Sequence, residues 1–134
     1  MKKTANTFRT WLIWQLRRLS YRWPPRQAAL RQASVSKADY GKRPGEKVSK
    51  LVRNFYRCAI CKRVFSRKGV SVDHIEPVIS PQQGWQGWED YIYRLFCKVD
   101  GFQIICSNDH DEKTAWERKV RLKYKRIMKK KEAA

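Results

Sequence analysis

Apolar positions follow a helical period at the start of the chain. Phe8, Trp11, Leu12, Leu16 and Leu19 recur at helical spacing, with Arg9, Arg17 and Arg18 off that stripe. This predicts a helix over 4–20. Tyr21-Arg22-Trp23-Pro24-Pro25 stops it, and Pro25 can open a second helix from Arg26 to about Ser34. Residues 34–50 are rich in Ser, Lys, Gly and Pro without periodicity and read as a partly mobile linker. From Phe55 the texture changes. Phe55-Tyr56-Arg57-Cys58 and Lys62-Arg63-Val64-Phe65 flank Cys58-Ala59-Ile60-Cys61 in the manner of a zinc knuckle. Gly69 to His74 predicts a short strand, and Pro77, Pro81, Gly84 and Gly87 a loop. Trp88 to Phe96 predicts a helix, Gly101 to Cys106 a strand, and Asn108 to about Met128 a long helix with a fraying end.

The length of 134 residues suits one domain with a modest core. The texture divides it at residue 50, into a basic helical segment with linker (1–50) and a compact part with a basic C-terminal helix (51–134). Charge sharpens the picture. The net charge is +19, from 31 basic and 12 acidic residues, which favours a polyanionic partner. No acid precedes Asp39, and nine of the fourteen residues from Arg118 to Lys131 are Lys or Arg. Most acids lie between Asp73 and Glu117. A carboxylate-rich centre between cationic arms suits a metal-dependent enzyme acting on a phosphate polymer. No signal peptide and no membrane-spanning stretch is visible, so the expected setting is cytoplasmic, with no membrane partner. In that compartment CxxC is a metal or redox signal rather than part of a disulfide framework.

The chemistry concentrates around the two histidines. His74 lies in Val72-Asp73-His74-Ile75-Glu76-Pro77, and His110 follows Cys106-Ser107-Asn108-Asp109 and precedes Asp111-Glu112-Lys113-Thr114. With CxxC upstream, the order is CxxC, Asp-His, then Cys…His…Lys-Thr. Trp88-x-x-Tyr91-Ile92-x-Arg94-Leu95-Phe96 and Phe102-Gln103-Ile104-Ile105-Cys106 lie between. Over Tyr56 to about Thr114 the chain resembles the HNH endonucleases of the ββα-metal (His-Me finger) class, and looks closest to the small free-standing phage HNH proteins. Arg22-Trp23-Pro24-Pro25 extends the likeness more loosely.

The resemblance implies an α+β fold: a ββα-metal core with a zinc knuckle, an N-terminal helical pair and a basic C-terminal helix. It implies nicking or cutting of DNA, in double-stranded form, by phosphodiester hydrolysis in the host cytoplasm, with phage proteins as further partners. Asp73 and His110 become ligands of a catalytic Mg2+ or Mn2+, and His74 the general base. A neutral imidazole titrating near pH 6.5 accepts a proton at neutral pH, and a divalent ion neutralises charge on the phosphate. Cys58, Cys61 and Cys106 match three ligands of a structural Zn2+.

Two positions depart from the family. Where a fourth Cys is usual stands Asp109, so three alternatives follow: Asp109 ligates through oxygen, Cys97 moves in, or the site is empty. Where an Asn that orients the base is usual stands Gly101; Asp100, Gln103 and Asn108 are the nearby substitutes. For nucleic-acid contact the expected residues are Arg17, Arg18, Lys113, Arg118, Lys119 and Arg121, with Trp11 and Trp14 packing on the core. The competing readings are a DNA-binding accessory protein with a vestigial HNH core and a basic zinc-ribbon protein of RNA.

Overall fold

The computed structural model describes residues 3–35 and 55–133, with side chains from Thr7 to Val35 and from Phe55 to Ala133. Four helices accompany two small antiparallel sheets: α1 (Lys3–Ser20), α2 (Pro24–Gln32), β1 (Ser34–Val35), β2 (Phe55–Arg57), β3 (Val64–Ser66), β4 (Val70–His74), α3 (Trp88–Leu95), β5 (Phe102–Cys106) and α4 (Ser107–Ala133). The mixed helix-and-sheet class matches the expectation.

The pair β4–β5 is the centre of the molecule. Its register sets Val70 opposite Cys106, Val72 opposite Ile104, Asp73 opposite Gln103 and His74 opposite Phe102. Side chains alternate between faces along a strand. Val70, Val72, Phe102 and Ile104 therefore share a face, and they are buried together with Tyr56, Ala29 and Leu30. Two of these core residues, Ala29 and Leu30, come from α2. The core thus crosses the boundary at residue 50 that texture suggested.

The N-terminal residues meet the expected pattern only in part. α2 begins at Pro24, so both prolines occupy the first turn, where a missing N–H costs nothing. Ser34 and Val35 form a short strand paired with Tyr56 and Phe55, rather than opening a linker. The remainder of the expected linker, 36–50, lies outside the described residues. In α1 the inward stripe is Leu12, Ile13, Leu16 and Ser20. Phe8, Trp11 and Leu19, which share the apolar period, are more than half exposed, as is Trp14. The expected packing of Trp11 and Trp14 on the core is therefore corrected. α1 leans on the body along a single edge, with the Arg9 guanidinium 4.8 Å from the Trp85 ring centre, and too little surface faces it to cover a wider stripe.

α4 is longer than expected at both ends. It starts directly after β5, where Asp109 in its first turn suits the positive end of the helix dipole. It stays helical to Ala133 instead of fraying after Met128. Its 27 residues reach roughly 40 Å, and every residue from Arg121 to Ala133 is exposed. No helix among the described residues is long and apolar enough to cross a membrane.

Candidate metal centre and cation-lined groove

Three chain segments converge on a cysteine cluster. Cys58 and Cys61 lie on the turn between β2 and β3, Cys106 ends β5, and Asp109 is in the first turn of α4. The turn is fixed by backbone bonds from Cys58 N to Arg63 O (2.9 Å) and from Ala59 N to Ile104 O (2.8 Å), the second of which ties it to β5. Lys62 takes a positive φ of 63° to close it. The four donor atoms lie within 4.8 Å of one another. A tetrahedral zinc with Zn–S near 2.3 Å needs S···S edges of about 3.8 Å; Cys61 Sγ and Cys106 Sγ are 3.9 Å apart. Asp109 Oδ2 is 3.1 Å from Cys58 Sγ and 3.2 Å from Cys106 Sγ. These are thiol-to-carboxylate hydrogen bonds, and the S···O edges would open to about 3.6 Å around a zinc ion. The cluster could hold a metal ion, and three sulfurs with one oxygen suit structural zinc.

Between Asp109 and Cys97 for the fourth corner, the geometry selects Asp109. Cys97 is not in the group; it packs against the core. The electrostatics agree with one carboxylate among thiols. Hydrogen bonds from Cys58 and Cys106 hold the Asp109 carboxyl below its ordinary range. Burial pushes the Cys106 thiol up to about 11, and the Asp109 carboxylate adds to that rise. Burial also opposes ionisation of Cys58, but amide groups of Cys61, Cys106 and Ile60 facing its sulfur outweigh it, and its thiol falls below the ordinary value.

The second cluster lies at the other end of the β4–β5 pair. Because Asp73 is opposite Gln103, the Gln103 amide donates to Asp73 Oδ2 at 2.9 Å. The Lys113 ammonium reaches the same oxygen at 2.6 Å, the carbonyl of His74 at 2.5 Å, and Glu117 Oε1 at 3.4 Å. Lys113 thus directs its charge inward at three acceptors. Lys113, expected to contact a nucleic-acid phosphate, donates here to Asp73 and to the His74 carbonyl and pairs with Glu117, while still lining the groove onto which Asp73 and His74 open. Both partners of Asp73 fall on Oδ2, leaving Oδ1 without a hydrogen bond among the described residues.

His74 lies at the end of β4, its ring 4.8 Å from that of Phe102. Its Nε2 is 2.9 Å from the carbonyl of Leu95. A carbonyl only accepts, so Nε2 carries the proton and Nδ1 is the basic nitrogen of the neutral ring. Burial lowers the His74 pKa, and the charges of Arg26 and Lys113 act in the same direction against the Leu95 carbonyl and Asp73. The imidazole orientation therefore depends on a backbone carbonyl at the end of α3, and not on Asp100, Gln103 or Asn108. Position 101 also has no room for a larger residue: a Cβ there would stand 2.6 Å from Cys97 Sγ.

His110 is half-buried on α4, one turn before Lys113. Among the described residues, Asp73 and His110 belong to no group of three or more metal donors; the cysteine cluster is the one such group.

Asp73 and His74 open onto a groove of about 850 Å³. Its walls are the 77–85 loop, Arg17 from α1, and one side of α4 carrying Arg121, Lys125 and Lys129. Arg94 secures the loop, donating to Pro77 O at 3.3 Å and pairing with Asp90 at 3.1 Å. Of the expected phosphate contacts, Arg17 and Arg121 line this groove. Arg18, Arg118 and Lys119 are exposed elsewhere, with Lys119 on another face of α4. Lys125 and Lys129 were missed as individual residues, although the four-residue step from Lys113 through Glu117 and Arg121 points to both.

No family model, no curated protein and no solved structure matches this chain.

Proposed function

We propose that this protein is a metal-dependent endonuclease of the HNH type, as found in phage, that nicks or cuts double-stranded DNA in the cytoplasm. One observation carries the proposal: His74, held through Nε2–H by the Leu95 carbonyl, stands beside Asp73 on the wall of a cation-lined groove. In this reading the phosphate chain lies in the groove against Arg17 and Arg121, and Nδ1 of His74 takes the proton of the attacking water. Lowering of the imidazole pKa keeps that nitrogen unprotonated at neutral pH. Asp73 Oδ1 and His110 have the hard oxygen and imidazole donors that suit Mg2+ or Mn2+. Such an ion, when bound, supplies neutralisation of the phosphate and of the leaving oxygen. The cysteine cluster, holding zinc, would fix β5 and the start of α4 relative to each other.

The test is relaxation of supercoiled plasmid with magnesium, with manganese and with EDTA. His74→Ala should lower cleavage by about 10²–10⁴ while leaving DNA affinity nearly intact, because it removes a base and not a phosphate contact. Equal cleavage by the variant refutes the assignment.

The Lys113–Asp73 contact favours a second reading, a DNA-binding accessory protein with a vestigial core. An ammonium 2.6 Å from Asp73 already neutralises the carboxylate that a divalent ion would need. Absence of nicking by the wild type with either metal, alongside retained DNA binding, selects this second reading.

A further inference from the structure

The C-terminal half of α4 carries more cations than the groove uses, and they fall into two rows. Arg121, Lys125 and Lys129 line the groove at successive four-residue steps, about 6 Å apart along the axis. Lys119, Lys123, Arg126 and Lys130 share a different face, together with Leu122 and Ile127. At 3.6 residues per turn the centres of the two rows are about 130° apart. Leu122, half exposed, lies between them. From Arg121 onward every residue is exposed, so this part of the helix projects from the body with both rows accessible.

One row suits a single phosphate strand. Two rows on the flanks of one projecting helix suit a channel whose two rims are both phosphate. The major groove of B-form DNA is such a channel, about 12 Å wide, and admits an α-helix. The narrow, deep major groove of A-form RNA does not. We propose that the C-terminal half of α4 enters the major groove of B-form DNA, with Arg121, Lys125 and Lys129 on one backbone and Lys119, Lys123, Arg126 and Lys130 on the other. This rests on the endonuclease reading in one respect: the first row is continuous with the wall that carries Asp73 and His74, so the backbone it follows is the one presented to His74.

The test uses the full chain in EDTA, so that binding is read without cleavage. Fluorescence anisotropy compares a 20-base-pair DNA, an RNA duplex of the same sequence and single-stranded DNA across a salt series. Wild type should prefer the DNA duplex. Substituting Gln at Lys119, Lys123, Arg126 and Lys130 together should flatten the log–log salt slope by up to about 3.6, four phosphates at about 0.9 each. The corresponding triple Gln variant at Arg121, Lys125 and Lys129 should flatten it by up to about 2.7. Methyl green, which occupies the major groove, should displace wild-type protein, and netropsin, which occupies the minor groove, should not. The dye arm needs no variant, so it decides even if a substituted helix unfolds. Displacement by netropsin alone, equal affinity for the RNA duplex, or a slope unmoved by the quadruple variant overturns the two-row docking. Those results leave plasmid nicking intact if only the docking is wrong. Methyl-green-sensitive binding without nicking keeps the docking and removes the endonuclease.

Discussion

Asp109→Cys tests the metal centre at its one unusual corner. Asp109 Oδ2 stands 3.1 Å and 3.2 Å from two sulfurs, so a thiolate introduced there joins three others already in position. A Cys₄ zinc site needs edges of about 3.8 Å. The Cys61–Cys106 edge is there already at 3.9 Å, and the edges at position 109 must open by about 0.6 Å, within reach of a small shift in the first turn of α4. The chemistry moves with the geometry. The carboxylate helps to hold the Cys106 thiol up near 11, where zinc must displace a tightly held proton, and thiolate suits this borderline-soft ion better than carboxylate does. Affinity should therefore rise by at least about tenfold. With zinc in excess that is about 1.4 kcal/mol of added stability, or roughly 3–6 °C in Tm for a chain of this size. Zinc content after dialysis, competition with a chromogenic chelator and thermal melts with zinc and with EDTA measure it. The gain should vanish in EDTA. If neither wild type nor variant retains zinc, the corner is held by packing alone. If zinc content is unchanged while cleavage collapses, Asp109 serves the proposed Asp73–His74 centre instead.

Two further outcomes follow from the second cluster. Gly101→Ala places a Cβ 2.6 Å from Cys97 Sγ and 3.0 Å from its Cβ, so it should cost about 1–3 kcal/mol by overpacking in urea unfolding, and Cys97→Ala should recover part of the loss; full stability of the single variant would refute the close approach. The His74 imidazole, followed by NMR in metal-free protein, should titrate below its ordinary 6.5. Since its folded pKa is depressed, the stabilisation of the neutral ring is fully present above the unfolded value and is lost as pH falls through the folded one. A midpoint above 6.5 would show the Leu95 carbonyl and Asp73 prevailing over burial.

Much of the fold was legible because its elements carry strong local signals. The alternation in Val70–His74 and the apolar run Phe102–Cys106 mark two strands, and their pairing follows from burying Val70, Val72, Phe102 and Ile104 on one face. The cysteine spacing likewise announced a metal cluster, and Asp109 entered it through the resemblance, as the residue standing where a fourth cysteine is usual. The failures have physical causes. Ser34–Val35 is a strand too short to show a period. Trp11 and Trp14 satisfy an apolar pattern, but burial requires an opposing surface, which a pattern does not contain. The inward contact of Lys113, a matter apart from its expected role, was hidden because Asp73 lies 40 residues away and is set against it only by the β4–α4 packing.

The partner of His74 could not be read from side chains at all, because it is a backbone carbonyl. Its position nevertheless depends on particular residues. The α3 helix ends at Leu95, and Phe96 follows in a non-helical conformation with φ −100° and ψ 52°. The next carbonyl, that of Cys97, accepts the indole N–H of Trp23 at 2.7 Å, and the Trp23 ring meets Phe96 edge-on with centres 5.6 Å apart. Trp23 immediately precedes α2, whose Ala29 and Leu30 are buried against β4 and β5. The segment carrying the Leu95 carbonyl is thus clasped between α2 and the sheet that carries His74 itself. The orientation of the imidazole is therefore met by the main chain. Gly101 then serves a different need, the close approach of Cys97. The bare backbone at 101 and the anchoring of the turn by Trp23 belong to one packing arrangement, and the N-terminal helices support it.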